Sequence, residues 1–333
     1  MIYWIEFIIC ASLIVYSGSR LSKYGDIIAE KTGLGRTWIG FILLASVTSL
    51  PELITGISSV TFAGLPDIAV GGVVGSCVFN MVILAMLDAM YRPMPLSTKA
   101  HQGNILAAAF GTLLLSLVAG SLIVGNNLHA YGWIGPYSLV FVVIYLIAIR
   151  LILTYEKKRY AAFMKERLET VPMYKDLSKR NAFINFGINA LVVIIAAVFL
   201  PKIGEGIAAD TGLGQTFVGN IFIAIATSLP EIVVSVAAVR IDAVDMAIGN
   251  LFGSNIFNIF ILAIDDMFFL KGPILSYVDA NHIIPTISAI TMTTIAIIGL
   301  VYRAGKKPLF LAWDSIGIVI VFLLNMMLLY MMR

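Results

Sequence analysis

Two glutamates lie inside apolar sequence, each behind the same four residues. Thr48-Ser49-Leu50-Pro51-Glu52 falls within "SVTSLPELIT", and Thr227-Ser228-Leu229-Pro230-Glu231 within "AIATSLPEIV". A second pair of motifs follows each copy: "GSCVFN" (75–80) and "GSNIFN" (253–258). On a helix, residues four apart share a face. Thr48 then pairs with Glu52, Ser76 with Asn80, Thr227 with Glu231 and Ser254 with Asn258. The set amounts to carboxylates, amide oxygens and hydroxyls, with Ser49 and Ser228 in reserve. All are hard oxygen donors. Such a set suits Ca²⁺, which takes roughly six to eight oxygens, and Na⁺ by the same logic. The chain has no His or Cys cluster that would point to zinc or copper. Of its two cysteines, Cys77 lies within the first of these motifs, beside the donor residues, and reads as packing.

The prolines add to this chemistry. Pro51 has no N–H, so the carbonyl of Val47 loses its helical partner, and Pro230 does the same to Ala226. Carbonyls freed at membrane depth are tolerated where they line a cavity or meet a partner, and a cation is one. The competing reading of a lone buried glutamate is a protonated structural acid. Two at matched positions weigh against it.

The elements that must position these residues follow from composition. Of 333 residues, 60% are hydrophobic and 12% charged, against about 25% charged in soluble domains. This is an all-α polytopic membrane protein. Ten apolar runs are long enough to span a bilayer, which takes roughly 20 residues. They cover 3–21, 37–63, 67–91, 103–124, 132–154, 182–200, 215–240, 244–270, 282–302 and 310–331. The second, third, seventh and eighth are long for one crossing, which predicts tilted or broken helices. The first run lacks the basic flank and cleavage site of a leader and is read as a span. One sizeable polar segment, 155–181, divides the chain into two sets of five spans.

The two sets are related. "TGLGRTWIGFILLASVTSLPE" (32–52) aligns without a gap to "TGLGQTFVGNIFIAIATSLPE" (211–231), with 13 of 21 positions identical. A repeat of five spans is odd in number, so the second copy must enter the membrane from the opposite side. The expected organisation is ten transmembrane helices as two inverted five-helix repeats. The first repeat is 1–154 with its motif at 37–91, the linker 155–181, and the second repeat 182–333 with its motif at 215–270. Inverted repeats are common in secondary transporters, with the site at the midplane. Charge sorts the loops by side. Nineteen of the 22 Lys and Arg fall on the side of the linker, and only Lys202, Lys271 and Arg333 on the other. This places the linker in the cytoplasm and both termini outside, in a multi-pass protein of the plasma membrane.

The paired "TSLPE" and "GS-x-x-x-N" segments resemble the α-repeats of the sodium/calcium exchanger family, of the prokaryotic type, within the cation/calcium antiporter superfamily. The resemblance implies four central ion sites, one for Ca²⁺ and the others for Na⁺. By matching position, Glu52, Glu231, Thr48 and Thr227 look like Ca²⁺ ligands. Ser49, Ser76, Ser228 and Ser254, with the carbonyls of Ala45 and Ala224, look like Na⁺ ligands, and Asn80 and Asn258 match the middle position. The chain departs from the family pattern in places. Asn258 stands where many relatives carry Asp, which counts against potassium dependence. Val47 and Ala226 replace the usual glycine. Gly72 stands where the family has Asn, a residue the second repeat keeps as Asn250.

The expected activity is Na⁺/Ca²⁺ antiport by alternating access. A proton-coupled cation exchanger is the main alternative, and a passive cation channel a lesser one. The absence of H-E-x-x-H and G-x-S-x-G motifs argues against an enzyme. Ca²⁺ and Na⁺ are the substrates, the bilayer is the environment, and no cofactor, nucleic acid or obligate protein partner is expected. Three charged positions outside the motifs receive readings of their own. Asp88 is expected to pair with Arg92 at a helix end, and Asp265 and Asp266 to be solvated near the outer end of the eighth span.

Overall fold

A backbone in hydrocarbon has no water to bond and must satisfy its own polar groups, which leaves helices as the available element for long apolar runs. The computed structural model describes residues 2–124, 130–166, 178–211 and 227–332. Among the described residues every regular element is a helix, apart from one isolated bridge between Tyr131 and Ile134. In chain order these are α1 (Ile2–Thr32), α2 (Arg36–Ala63), α3 (Pro66–Met90), α4 (Gln102–Val124) and α5 (Pro136–Glu166). Then come α6 (Lys179–Thr211), α7 (Leu229–Arg240), α8 (Val244–Phe268), α9 (Ile283–Tyr302) and α10 (Trp313–Met331). Nine helices among the described residues are long and apolar enough to cross a membrane. The seventh expected span, 215–240, is represented by α7, and residues 212–226 lie outside the described residues.

One element differs from the expectation in its extent. Helix α1 runs on to Thr32 instead of ending near residue 21. Its later turns are helical despite Ser17, Ser22 and Asp26 because these side chains are buried against protein and Ser22 and Asp26 find partners there. Ser22 Oγ donates to the carbonyl of Val234 at 2.7 Å, and Asp26 meets Arg36 at 2.5 Å. Helices α3 and α8 are continuous over 25 residues each, not broken. The only proline in either is Pro66 at the start of α3, where a missing N–H costs nothing.

Helix α2 is broken, as its proline predicts. It passes through a π-helical stretch (Ile39–Leu44), a short α segment (Ala45–Thr48) and a turn at Ser49, then an α segment (Leu50–Ser58) and a second π stretch (Ser59–Ala63). Helix α7 starts the same way, from a turn at Ser228.

The chain forms two compact units, and neither coincides with a sequence repeat. The first comprises Met1–Pro51 and Ile152–Asn250, the second Glu52–Leu151 and Leu251–Arg333. In the first, α1 packs along α6 and against α7. Its core is Ile14, Ala196, Ala197 and Leu200, with Phe7, Leu229 and Val233 packed on it. The start of α2 crosses the start of α8 with backbones touching. A Cβ on Gly249 would sit 2.7 Å from the carbonyl oxygen of Thr37, and one on Gly40 2.2 Å from that of Met246. Small residues permit such crossings in membranes. In the second unit α9 packs on α3, α4 and α10. Tyr145 of α5 stacks on Phe260 of α8 with ring centroids 4.4 Å apart.

Candidate functional site

Each TSLPE copy builds the same local shape. At Ser49 the backbone adopts φ −94°, ψ 6°, and at Ser228 φ −84°, ψ 4°. The turn ends one helical segment and the next begins at the following leucine. The proline falls in the first turn of that segment, where no N–H is needed. The glutamate then also lies in the first turn, Glu52 in Leu50–Ser58 and Glu231 in α7. A helix N-terminus carries partial positive charge, so a carboxylate there is favoured even when buried. Glu52 is 6% exposed and Glu231 2%. The break also leaves a helix C-terminal end at Ala45–Thr48. The carbonyl of Ala45 accepts the Ser49 N–H at 3.0 Å and the Thr48 hydroxyl at 3.4 Å. Thr48 and Glu52 therefore do not lie on one continuous helix face, because the turn at Ser49 intervenes.

In the first unit, Ser49 Oγ donates to Glu231 Oε1 at 3.1 Å. Thr48 Oγ1 lies 3.4 Å from Asn250 Oδ1, and the Asn250 amide donates to Ser235 Oγ at 3.0 Å. Thr227 and Ser228, four and three residues before Glu231, are buried. Ala224 lies outside the described residues. The first unit thus brings together Ala45, Thr48, Ser49 and Glu231, while Asn250 and Ser235 join the polar set beyond the residues expected from the motifs.

In the second unit, Ser76 Oγ donates to Glu52 Oε1 at 3.4 Å. Helices α3 and α8 meet through a network that follows the repeat. Cys77 and Asn255 occupy equivalent positions in the two motifs. Asn80 Nδ2 donates to Asn255 Oδ1 at 2.9 Å, and in the matching contact Asn258 Nδ2 reaches Cys77 Sγ at 3.9 Å. Asn255 Nδ2 and Cys77 Sγ each reach the other residue's carbonyl, at 3.4 and 3.8 Å. Cys77 is therefore part of a polar cross-link, not simple packing. With both Nδ2 groups engaged, Asn80 Oδ1 and Asn258 Oδ1 are buried with no hydrogen-bond partner among the described residues. They are pre-oriented acceptors of the kind a cation uses. Ser254 is fully buried on α8, one turn before Asn258. Ser76 with Asn80, and Ser254 with Asn258, do share the faces of continuous helices.

The aspartates outside the motifs take different places from those expected. Asp88 and Asp266 stand eight residues after Asn80 and Asn258, and each caps a 3₁₀ turn eight residues further on. Asp88 accepts the N–H of Leu96 at 2.8 Å and that of Ala312 at 2.7 Å, and Lys307 lies 3.1 Å away. Asp266 accepts from Ile274 at 2.6 Å and from Gly135 at 2.8 Å, with Ser138 and Tyr137 hydroxyls added. Ala312 and Gly135 immediately precede the last helix of each half, so both aspartates fasten the start of that helix. Asp88 thus bonds to distant backbone and Lys307, and Asp266 is fully buried. Asp265 is fully buried as well.

Comparison with known proteins gives the family and the fold. The family profile described as sodium/calcium exchanger protein matches residues 2–154 and 181–331. The inner membrane protein YrbG of Escherichia coli (strain K12) is 30% identical over 251 residues, covering 75% of this chain and 74% of its own. The sodium/calcium exchanger MaX1 of Methanosarcina acetivorans is 25% identical over 279 residues, 74% of this chain and 77% of its own. Among solved structures, the sodium-calcium exchanger NCX_Mj, soaked with Na⁺ and Sr²⁺, superposes with a TM-score of 0.74 at 19% identity over 97% of both chains. That fold has two inverted repeats, and the fold class of this chain is the same all-helical membrane architecture.

Proposed function

Because the chain belongs to the sodium/calcium exchanger family, we propose that it is a secondary antiporter coupling Na⁺ entry to Ca²⁺ extrusion by alternating access. The observation that carries the reading is the duplicated, buried carboxylate. Glu52 and Glu231 each open a helical segment after a turn, and each accepts a hydroxyl from a motif serine. Two carboxylates supply the charge that one Ca²⁺ needs. In this reading Glu52, Glu231, Thr48 and Thr227 serve Ca²⁺. Ser49, Ser76, Ser228 and Ser254, with the carbonyls of Ala45 and Ala224, serve Na⁺, and Asn80 and Asn258 offer the neutral middle oxygens. The protein works in the plasma membrane with the 155–181 linker in the cytoplasm and the termini outside. Its two inverted repeats are 1–154 and 182–333.

Energetics set the coupling. Moving a charge against the membrane potential costs about 2.3 kcal/mol per 100 mV, hence about 4.6 kcal/mol for Ca²⁺. Two Na⁺ entering only cancel that electrical cost. A third would make the cycle electrogenic and add net electrical drive. The test is uptake of radiolabelled Ca²⁺ into proteoliposomes loaded with Na⁺. The Na⁺ gradient alone is expected to drive uptake. Uptake driven by a pH gradient and not by Na⁺ would make the proton the coupling ion, and passive flux with no counter-gradient would make the protein a channel.

A further inference from the structure

Asp265 is a buried acid that neither the ion donors nor the helix caps use. It is 0% exposed, and neither of its carboxylate oxygens has a hydrogen-bond partner among the described residues. The carboxylate lies against bare backbone. A Cβ on Gly56 would come within 2.4 and 2.7 Å of its two oxygens. Gly56 is one turn beyond Glu52 on the Leu50–Ser58 segment. The repeat shows that no structural rule demands an acid here. The equivalent residue of the first half is Leu87, one before Asp88 as Asp265 is one before Asp266, and Leu87 is also fully buried. Leucine and aspartate branch at the same atom, so the site is shaped for a leucine and holds an acid in its place.

The charged and titratable groups around Asp265 do not neutralise it. Its neighbour Asp266 is engaged by Gly135, Tyr137, Ser138 and Ile274. On the facing helix Glu52 accepts from Ser76, and Lys271 lies at Gly64, two turns past Gly56. An ionised carboxylate held away from water without a donor costs far more than a neutral acid in the same place. A single buried carboxylate that meets no hydrogen-bond donor among the described residues suits a proton, whereas a metal ion needs several oxygens.

We propose that Asp265 is a proton-binding site, occupied while its carboxyl lies against Gly56 and vacated when that contact opens to water. Protonation converts the carboxylate to the neutral acid, with the proton drawn from the aqueous side that the contact exposes. Releasing the proton restores a charge that cannot remain against Gly56, so alkaline pH favours separation of the Leu50–Ser58 segment from α8 at this point. Since Glu52 is on that segment, the protonation state of Asp265 acts on the helix that carries it. The site stands whether Na⁺ or another cation drives exchange.

Infrared difference spectroscopy of the reconstituted protein tests it directly. At neutral pH the wild type should show a protonated-carboxyl C=O band that disappears on alkalinisation. The band should be lost in Asp265→Asn, which keeps the size, and in Asp265→Leu, which restores the residue of the other repeat. A band retained in both variants belongs to another acid and overturns the proposal. So does a carboxylate band that shifts on adding Na⁺ or Ca²⁺ with no protonated band. Should neither variant fold, the wild type decides alone, because absence of any protonated-carboxyl band at neutral pH removes the site.

Discussion

Replacing Asp266 by asparagine should weaken the protein by a predictable amount. Its Oδ1 accepts the Ile274 N–H at 2.6 Å and the Tyr137 hydroxyl at 3.2 Å; its Oδ2 accepts the Gly135 N–H at 2.8 Å and the Ser138 hydroxyl at 2.5 Å. Asparagine turns one of these oxygens into an NH₂ group. Whichever way the amide faces, one hydroxyl and one backbone N–H meet a donor. The hydroxyl can rotate and accept, but the N–H cannot. An orphaned buried donor costs about 1–3 kcal/mol, and the surviving bonds lose their charge assistance. A destabilisation of about 2–4 kcal/mol follows from these terms. Reversible denaturant unfolding in detergent or bicelles, followed by tryptophan fluorescence, would measure it. Asp67, half exposed, provides the control: it meets the Asp279 N–H and His282 through one oxygen, which asparagine keeps, so Asp67→Asn should change stability by no more than about 1 kcal/mol. If Asp266→Asn unfolded together with the Asp67 control, the capping role assigned to Asp266 would be wrong. The same experiment on Asp88→Asn should give a loss of similar size, since Asp88 caps Leu96 and Ala312 in the matching way and also holds Lys307.

Other outcomes follow from the polar contacts. Ser49→Ala removes the donor to Glu231 and Ser76→Ala the donor to Glu52. Each should weaken Na⁺ activation of Ca²⁺ flux by up to about tenfold, the equivalent of one net hydrogen bond of about 1.4 kcal/mol, with little change in melting temperature. Asn255→Leu frees the Asn80 amide to rotate and should reduce exchange while the protein still folds, whereas Asn255→Gln should retain part of the activity. For topology, a cysteine placed in the 156–180 linker should react with impermeant thiol reagent only from the cytoplasmic side, and one at Lys202 only from outside. Labelling of both from one side would contradict the inverted arrangement.

The membrane helices were legible in the sequence because apolar length alone defines them, and the break in α2 because Pro51 removes an N–H at a known place. What length could not show is whether a long run is broken or merely tilted, and α3 and α8 are continuous because neither has an internal proline. The continuation of α1 to Thr32 was hidden by its polar residues, which look like a loop until Val234 and Arg36 are found beside them. On α3 and α8 the motif residues share continuous helix faces, as their spacing implies. On α2 the turn at Ser49 sent Thr48 toward Asn250 and Glu52 toward Ser76. Asp266 was read as solvated because an aspartate pair beside a loop usually is, and Gly135 and Ser138 are far away in sequence. A signal was nonetheless present: Asp88 and Asp266 stand at the same distance after the two motif asparagines. Asn255 could have been found the same way, since it is the counterpart of Cys77.

The reading of the two glutamates is tested most directly by Ca²⁺ exchange in Na⁺-loaded proteoliposomes carrying Glu52→Gln or Glu231→Gln. Glutamine keeps the size and one oxygen but removes a unit of charge, and a divalent ion loses twice the Coulomb energy a monovalent ion does. Both variants are predicted to fold, to retain some Na⁺ binding, and to lose Na⁺-driven Ca²⁺ uptake to the level of protein-free liposomes. Uptake at the wild-type rate in either variant would take that carboxylate out of the ion site and contradict the account.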